Sequence, residues 1–295
     1  MSKDRIRDKI KEITKLFVAT CRRTIEVFSK HEMYVYSGYT TFYFLMSFVP
    51  LLMMIISIIN LIPWFSILDI SALFTKLIPD IPEIRSVLID MILRVNRQSG
   101  QLVTYALAIT SLWSGSHGVN AMMEGLEKIN HTQQGALKKR PKAILYTILF
   151  TLLIPSMLLF QILRSFIRDI VIHIFDRLSL PEVAVYINKV LRLSGLLTIA
   201  AMALIIVLTF TFLPSGKRSV KQQLPGSVFT SILWVLFTNA FSLFIRRLWK
   251  LSSVYGSLAA IFLTAMWMKF IVTILFYGAS LNRALQVKVS KDCST

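Results

Sequence analysis

Lys269 sits inside a long apolar run, residues 257–281, twelve residues from either end. At about 1.5 Å per helical residue its ammonium would lie roughly 18 Å from each end. An ionisable group at that depth is costly and faces either a protein interior or a wet cavity. Lys269, Thr273, Tyr277 and Ser280 recur at i, i+4, i+8 and i+11, so a helix gathers them on one polar stripe. Asn239, Ser242 and Arg246 form a second stripe on the preceding run, 226–245. Thr110, Ser114, His117, Asn120 and Glu124 form a third on 101–123. No Asp or Glu lies deep inside any apolar run, so Lys269 has no obvious counter-ion. The three stripes together would line one hydrophilic pathway made of Lys269, Thr273, Tyr277, His117, Asn120 and Asn239, with Arg246 and Arg247 at its mouth. Such a path suits an anionic group. The alternative is that each polar group bonds to a neighbouring helix and no path exists. That reading is preferred for most of the Ser, Thr and Asn residues. A cavity is preferred for Lys269, because helix carbonyls are already bonded and satisfy an ammonium poorly.

Catalytic patterns are missing from the chain. His31, His117, His131 and His173 are scattered and make no H-x-H or H-E-x-x-H ligand set. There is no P-loop, no G-x-S-x-G and no Gly-rich dinucleotide turn. The expectation is a protein that is not an enzyme, with no metal and no cofactor. Cys21 and Cys293 fall in segments read as cytoplasmic, so no disulfide is expected.

The elements that would position the stripes are helices. With 295 residues, 55% hydrophobic and 16% charged, and a mean hydropathy of +0.64, the chain reads as an all-α polytopic membrane protein. Six spans are expected, at 38–62, 101–123, 143–163, 193–213, 226–245 and 257–281, with Pro50 and Pro155 kinking the first and third. The segment 1–36 is basic, and Ile6, Ile10, Ile13 and Phe17 recur at helical spacing. It reads as an amphipathic helix, either on the inner membrane face or on the protein's own cytoplasmic surface. It has no apolar core of the kind a cleavable signal needs. The six-helix domain is taken as 37–285 and the cytoplasmic tail as 286–295. Ser111/Gly115 and Ser114/Gly118 are small-residue pairs that let another helix approach closely.

A net charge of +18 fits two partners, nucleic acid or the membrane. Membrane topology is the better account, since no soluble basic module exists here. With both termini in the cytoplasm, inner segments hold 20 Lys and Arg residues and outer segments 12. The outer connector carrying Arg246, Arg247 and Lys250 resists that rule.

Several stretches resemble the BrkB/YihY family of bacterial inner-membrane proteins. They are Ser37 to Leu52, Leu112-Trp-Ser-Gly-Ser116, Leu224-Pro-Gly-Ser227, Val254-Tyr-Gly-Ser-Leu-Ala-Ala260 and Tyr277-Gly-Ala-Ser-Leu-Asn282. The resemblance covers roughly Ser37 to Leu285 and is specific in combination. It implies six transmembrane helices and a cytoplasmic-membrane location. It also carries an old label, ribonuclease BN, which the missing ligand cluster argues against. Two positions depart from the family pattern: Ser280 stands where a Glu is usual, and Lys269 where an aromatic or apolar residue is usual. The expected function is a transporter or lipid-translocating protein for an anionic amphiphile or envelope precursor, with membrane lipids as partners. The alternative is a non-transporting envelope-integrity scaffold.

Overall fold

A computed structural model describes residues 3–60, 90, 101–133, 135, 138–152, 194–248 and 256–292. Among them every regular element is an α-helix. In chain order these are α1 (Lys3–Lys30), α2 (Met33–Asn60), α3 (Gln101–Asn130), α4 (138–152), α5 (Ser194–Phe212), α6 (Val220–Leu248) and α7 (Gly256–Asp292). The expected loops 63–100 and 164–192, the Pro155 kink and the connector 249–255 lie outside the described residues, Asp90 apart.

Two helix ends turn on residues with left-handed backbone. Glu32 has φ 57° and separates α1 from α2. Its amide donates to the Ser29 carbonyl at 3.0 Å, closing α1, and its own carbonyl accepts from Val35 N at 2.9 Å, opening α2. The helix therefore starts at Met33, five residues before the expected span. Its run continues through Pro50, whose missing N–H bends a helix without ending it. His131, with φ 54°, ends α3 in a Schellman arrangement: Thr132 N donates to the Glu127 carbonyl and His131 N to that of Lys128. Lys128 then reaches across to Glu32 at 2.6 Å, tying both corners together.

Helices α2 and α3 run antiparallel and close together. A Cβ on Gly118 would overlap the Phe44 ring, and one on Gly125 would crowd Phe276 and Tyr36. The small-residue face expected on α3 thus includes a true close contact at Gly118, and it extends about two turns further to Gly125. Around it lies the core: Phe28, Met33, Met123, Leu126, Phe210 and Phe276 are all buried. Phe28 of α1 stacks on Tyr277 of α7, with ring centroids 4.0 Å apart.

The tightest crossing joins α6 and α7. Residues 220–225, read from sequence as loop, are the opening turns of α6, and Pro225 lies inside the helix. A proline there removes a backbone donor and pushes the preceding turn apart. The next amide, that of Gly226, has a partner on another helix. It donates to Oδ1 of Asn282, from α7, at 2.7 Å. Asn282 Nδ2 donates in return to the Gln223 carbonyl at 3.1 Å and to its Oε1 at 3.0 Å. The backbones meet because neither partner has a Cβ. A Cβ on Gly226 would overlap the Gly278 carbonyl, and one on Gly278 would overlap Thr230 Oγ1.

The outer faces of the helices are apolar. Ile109, Trp113, Leu204, Leu236, Ile261 and Phe262 are among the exposed large hydrophobics. Two stretches, Val220–Ile245 and Ile261–Gln286, are each 26 residues long and apolar enough to cross a membrane, with 22% of each window buried. Such a stretch is about 39 Å long, against roughly 30 Å of hydrocarbon.

Gly278→Ala should lower stability by roughly 2–3 kcal/mol, since Thr230 is held by its own bond to the Gly226 carbonyl at 2.7 Å and cannot yield. Gly135→Ala, with nothing within 4 Å, should change it by less than about 0.5 kcal/mol. Unfolding of both variants in detergent micelles checks this, and equal losses would contradict the crossing.

Candidate functional site

Lys269 projects from α7 onto the first turn of α2. Its ammonium donates to the Tyr34 carbonyl at 2.9 Å and to Ser37 Oγ at 2.8 Å. Ser37 Oγ in turn donates to the same carbonyl at 2.9 Å. A Cβ on Gly38 would stand 3.4 Å from Nζ, an ordinary contact. The expectation that helix carbonyls serve an ammonium poorly does not hold at this position. Tyr34 lies in a first turn, where the chain bends in from Glu32 and a carbonyl can be shared. No carboxylate bonds to Lys269 among the described residues, and the side chain is only half-buried.

The other pathway residues settle on several surfaces. Thr273 Oγ1 donates to the Lys269 carbonyl at 2.7 Å, within its own helix. Tyr277 is the ring stacked on Phe28. His117 faces α2 and α4: its ring stacks on Tyr43 with centroids 5.2 Å apart, and Nε2 lies 3.2 Å from Arg140 Nη1. Asn120 Nδ2 donates to Glu124 Oε1 at 2.9 Å, one turn along α3. Asn239 Nδ2 donates to the Val235 carbonyl at 2.9 Å and is exposed on α6. The backbone at Arg246 and Arg247 is helical, but their side chains lie outside the described residues. Lys269, Thr273 and Tyr277 therefore share one face of α7, while His117 belongs to the contact of α3 with its neighbours and Asn120 bonds within α3. Arg140 is brought to His117 by the fold and joins this group. It also stands over the Trp113 ring, 5.9 Å from its centroid.

A second polar centre was not foreseen. It lies where the α1–α2 corner, the α3–α4 link and the α5–α6 loop gather, here called the basic end. Glu127, on α3, is 2% exposed. Its Oε1 accepts from Ser215 Oγ at 2.6 Å and from Ser215 N at 3.3 Å, and its Oε2 is 2.9 Å from Lys139 Nζ. Arg218 closes the loop, donating to Thr132 Oγ1 at 3.1 Å and to the Ser215 carbonyl at 2.8 Å. Burial pulls the Arg218 guanidinium and the Lys142 ammonium below their usual ranges, and Glu127 partly offsets both. Lys138-Lys139-Arg140 and Lys217-Arg218 were read as topological charge only. Their number was visible, but Glu127 as their common anchor was not, since it lies 88 residues from Ser215 in the chain.

Helices with apolar outer faces, two of them long and apolar enough to cross a bilayer, around a polar interior at one end, fit a helical membrane protein. The chain belongs to the family described as Virulence factor BrkB, which matches residues 24–293. It is 24% identical over 271 residues to the ribonuclease-like protein YfkH of Bacillus subtilis, covering 88% of this chain and 94% of the relative. It is 23% identical over 268 residues to a UPF0761 membrane protein of Pseudoalteromonas translucida, covering 88% of this chain and 84% of the relative. No solved structure matches it. The family resemblance carried by the sequence motifs is thereby borne out. Two of those motifs, Leu224–Ser227 and Tyr277–Asn282, are the two sides of the α6–α7 crossing. Ser280 is fully buried there.

The His131 imidazole is held below the usual histidine range, first by burial and then by the charges of Arg283, His31 and Lys30. The unfolded chain therefore takes up this proton at a higher pH than the folded chain. Stability is complete above the ordinary value of about 6.5 and falls as pH drops below it. Melting in phosphate-free buffer should show a drop in Tm between about pH 7 and 5.5 that is smaller in His131→Asn. An identical drop in both proteins would contradict it.

Proposed function

We propose that this protein is a six-span protein of the bacterial inner membrane, with both termini cytoplasmic, that moves an anionic amphiphile such as a phospholipid or envelope precursor. It acts without catalysing a reaction. The observation that carries this reading is Lys269: an ammonium on a candidate membrane span with a carbonyl and a hydroxyl for partners and no carboxylate bonded to it among the described residues. The amino end of α2, beside it, carries its own partial positive charge. Glu32, the carboxylate at that helix start, is engaged by Lys128. The local field at Lys269 therefore favours an arriving anion, and a half-buried ammonium that is neutral in hydrogen bonding but not in charge is a natural place to bind one. The exposed apolar faces of α5, α6 and α7 supply the surface that lipid would cover. On this reading α1 lies along the inner face, with Leu16, Val18 and Ile25 exposed on it.

Purified protein in liposomes, assayed for lipid scrambling and anion flux, tests the reading. Lys269→Met should fold normally and lose about tenfold or more of the flux, while Lys269→Arg keeps part of it. Full flux in a normally folded Lys269→Met would exclude Lys269 as the carrier of function. Absence of flux in the native protein would favour the scaffold.

A further inference from the structure

Two cationic groups and one amide at the basic end have buried donors with no partner. Arg218 spends Nη2 on Thr132 and Ser215, yet its buried Nη1 bonds to nothing. Arg283, on α7, has a buried Nε without a partner. Gln223, 4% exposed, gives its Oε1 to Asn282 and leaves Nε2 unbonded.

The fold joins these groups through adjacent residues. Thr132 holds Arg218, and His131 precedes it in the chain. Asn282 holds Gln223, and Arg283 follows it. His31 stands edge-on to His131, with centroids 5.0 Å apart, bringing in the end of α1. The charge of Arg283 bears on both Arg218 and His131. Among the described residues Glu127 is the carboxylate whose charge reaches Arg218, and it is already held by Lys139 and Ser215. Buried donors are bonded in folded proteins, so unspent ones on like-charged groups call for an acceptor carrying negative charge.

We propose that Arg218, Arg283 and His131, with Gln223 as a neutral donor beside them, bind a phosphate-type oxyanion at the basic end of the bundle. Guanidinium groups match a tetrahedral oxyanion in shape and charge, and two of them from different elements clamp it from two sides. The anion's source is either a lipid headgroup or a soluble phosphate. The site is separate from Lys269 and does not rest on the transport reading.

The test uses the full chain in phosphate-free detergent micelles, titrated calorimetrically with inorganic phosphate and, separately, with dihexanoyl phosphatidic acid. Saturable binding is expected. Arg283→Gln should weaken it about tenfold and Arg283→Lys should restore part, as expected for loss of one charge-assisted bond. Lys217→Gln, an exposed cation in the same loop as Arg218, should leave it unchanged. If Arg283→Gln does not fold, His131→Asn serves, because Asn accepts the left-handed backbone there; about threefold weaker binding is expected. Phosphatidic acid bound at least about tenfold tighter than phosphate assigns a lipid headgroup, and similar affinities assign a soluble phosphate. No saturable binding of either probe overturns the proposal. So does equal weakening in Arg283→Gln and Lys217→Gln, or undiminished affinity in His131→Asn.

Discussion

The side chain of Asn282 fixes the register of the α6–α7 crossing. Pro225 lies inside α6 just where the helix presses against α7, and Asn282 from α7 bonds to the amide that follows it. Its carbonyl takes the Gly226 amide and its amide gives to Gln223. All three residues are at or near complete burial, where an unpaired amide or carbonyl costs about 1–3 kcal/mol each. In a bilayer, where association of apolar surfaces is not driven by water, close backbone packing and inter-helix hydrogen bonds are what remain. Here both occur at the same place. Gly226 and Gly278 allow the approach, and Asn282 makes it specific in register.

From that crossing the rest of the polar structure follows outward. The opening turns of α6 and the last third of α7 are fixed side by side, so the α5–α6 loop and Arg283 stay at one end of the bundle. There the loop meets the capped end of α3, through Glu127 with Ser215 and Arg218 with Thr132. Further along α7, away from the crossing, the same helix presents Lys269 to α2. Trp234 of α6 marks the course between, donating to the Ile271 carbonyl at 2.7 Å. The two positively charged centres are thus carried by one helix and separated along it.

Much of this was legible as pattern and little of it as contact. Hydropathy located α3, α5, α6 and α7, because an apolar run of the right length can be satisfied in few other ways. It missed the first turns of α2 and α6. Residues 33–36 were counted with the amphipathic segment 1–36, and 220–225 hold Lys221, two glutamines and a proline; a left-handed Glu32 divides α1 from α2, and a side chain from α7 bonds at the start of α6. Leu224–Ser227 and Tyr277–Asn282 stood out as motifs, but that they touch each other depends on residues 56 apart in the chain. Lys269 was recognised as unusual from its surroundings. Of its two partners, the Tyr34 carbonyl leaves no trace in residue type, and Ser37 lies 232 residues away in the chain. The basic end was hidden for a different reason. Lys and Arg gather near membrane-protein loops for topological reasons, so their side-chain bonding cannot be separated from that background by counting charges.

The central claim is that Asn282, through its bond to the buried Gly226 amide, fixes α6 against α7. Amide hydrogen exchange at Gly226, in the native chain and in Asn282→Leu, tests it most directly. The account predicts a protected Gly226 amide in the native protein. In Asn282→Leu it predicts loss of that protection and about 1–3 kcal/mol lower stability, from the buried Gly226 amide losing its inter-helix acceptor. A Gly226 amide equally protected in both proteins, with stability changed by less than about 0.5 kcal/mol, would contradict it.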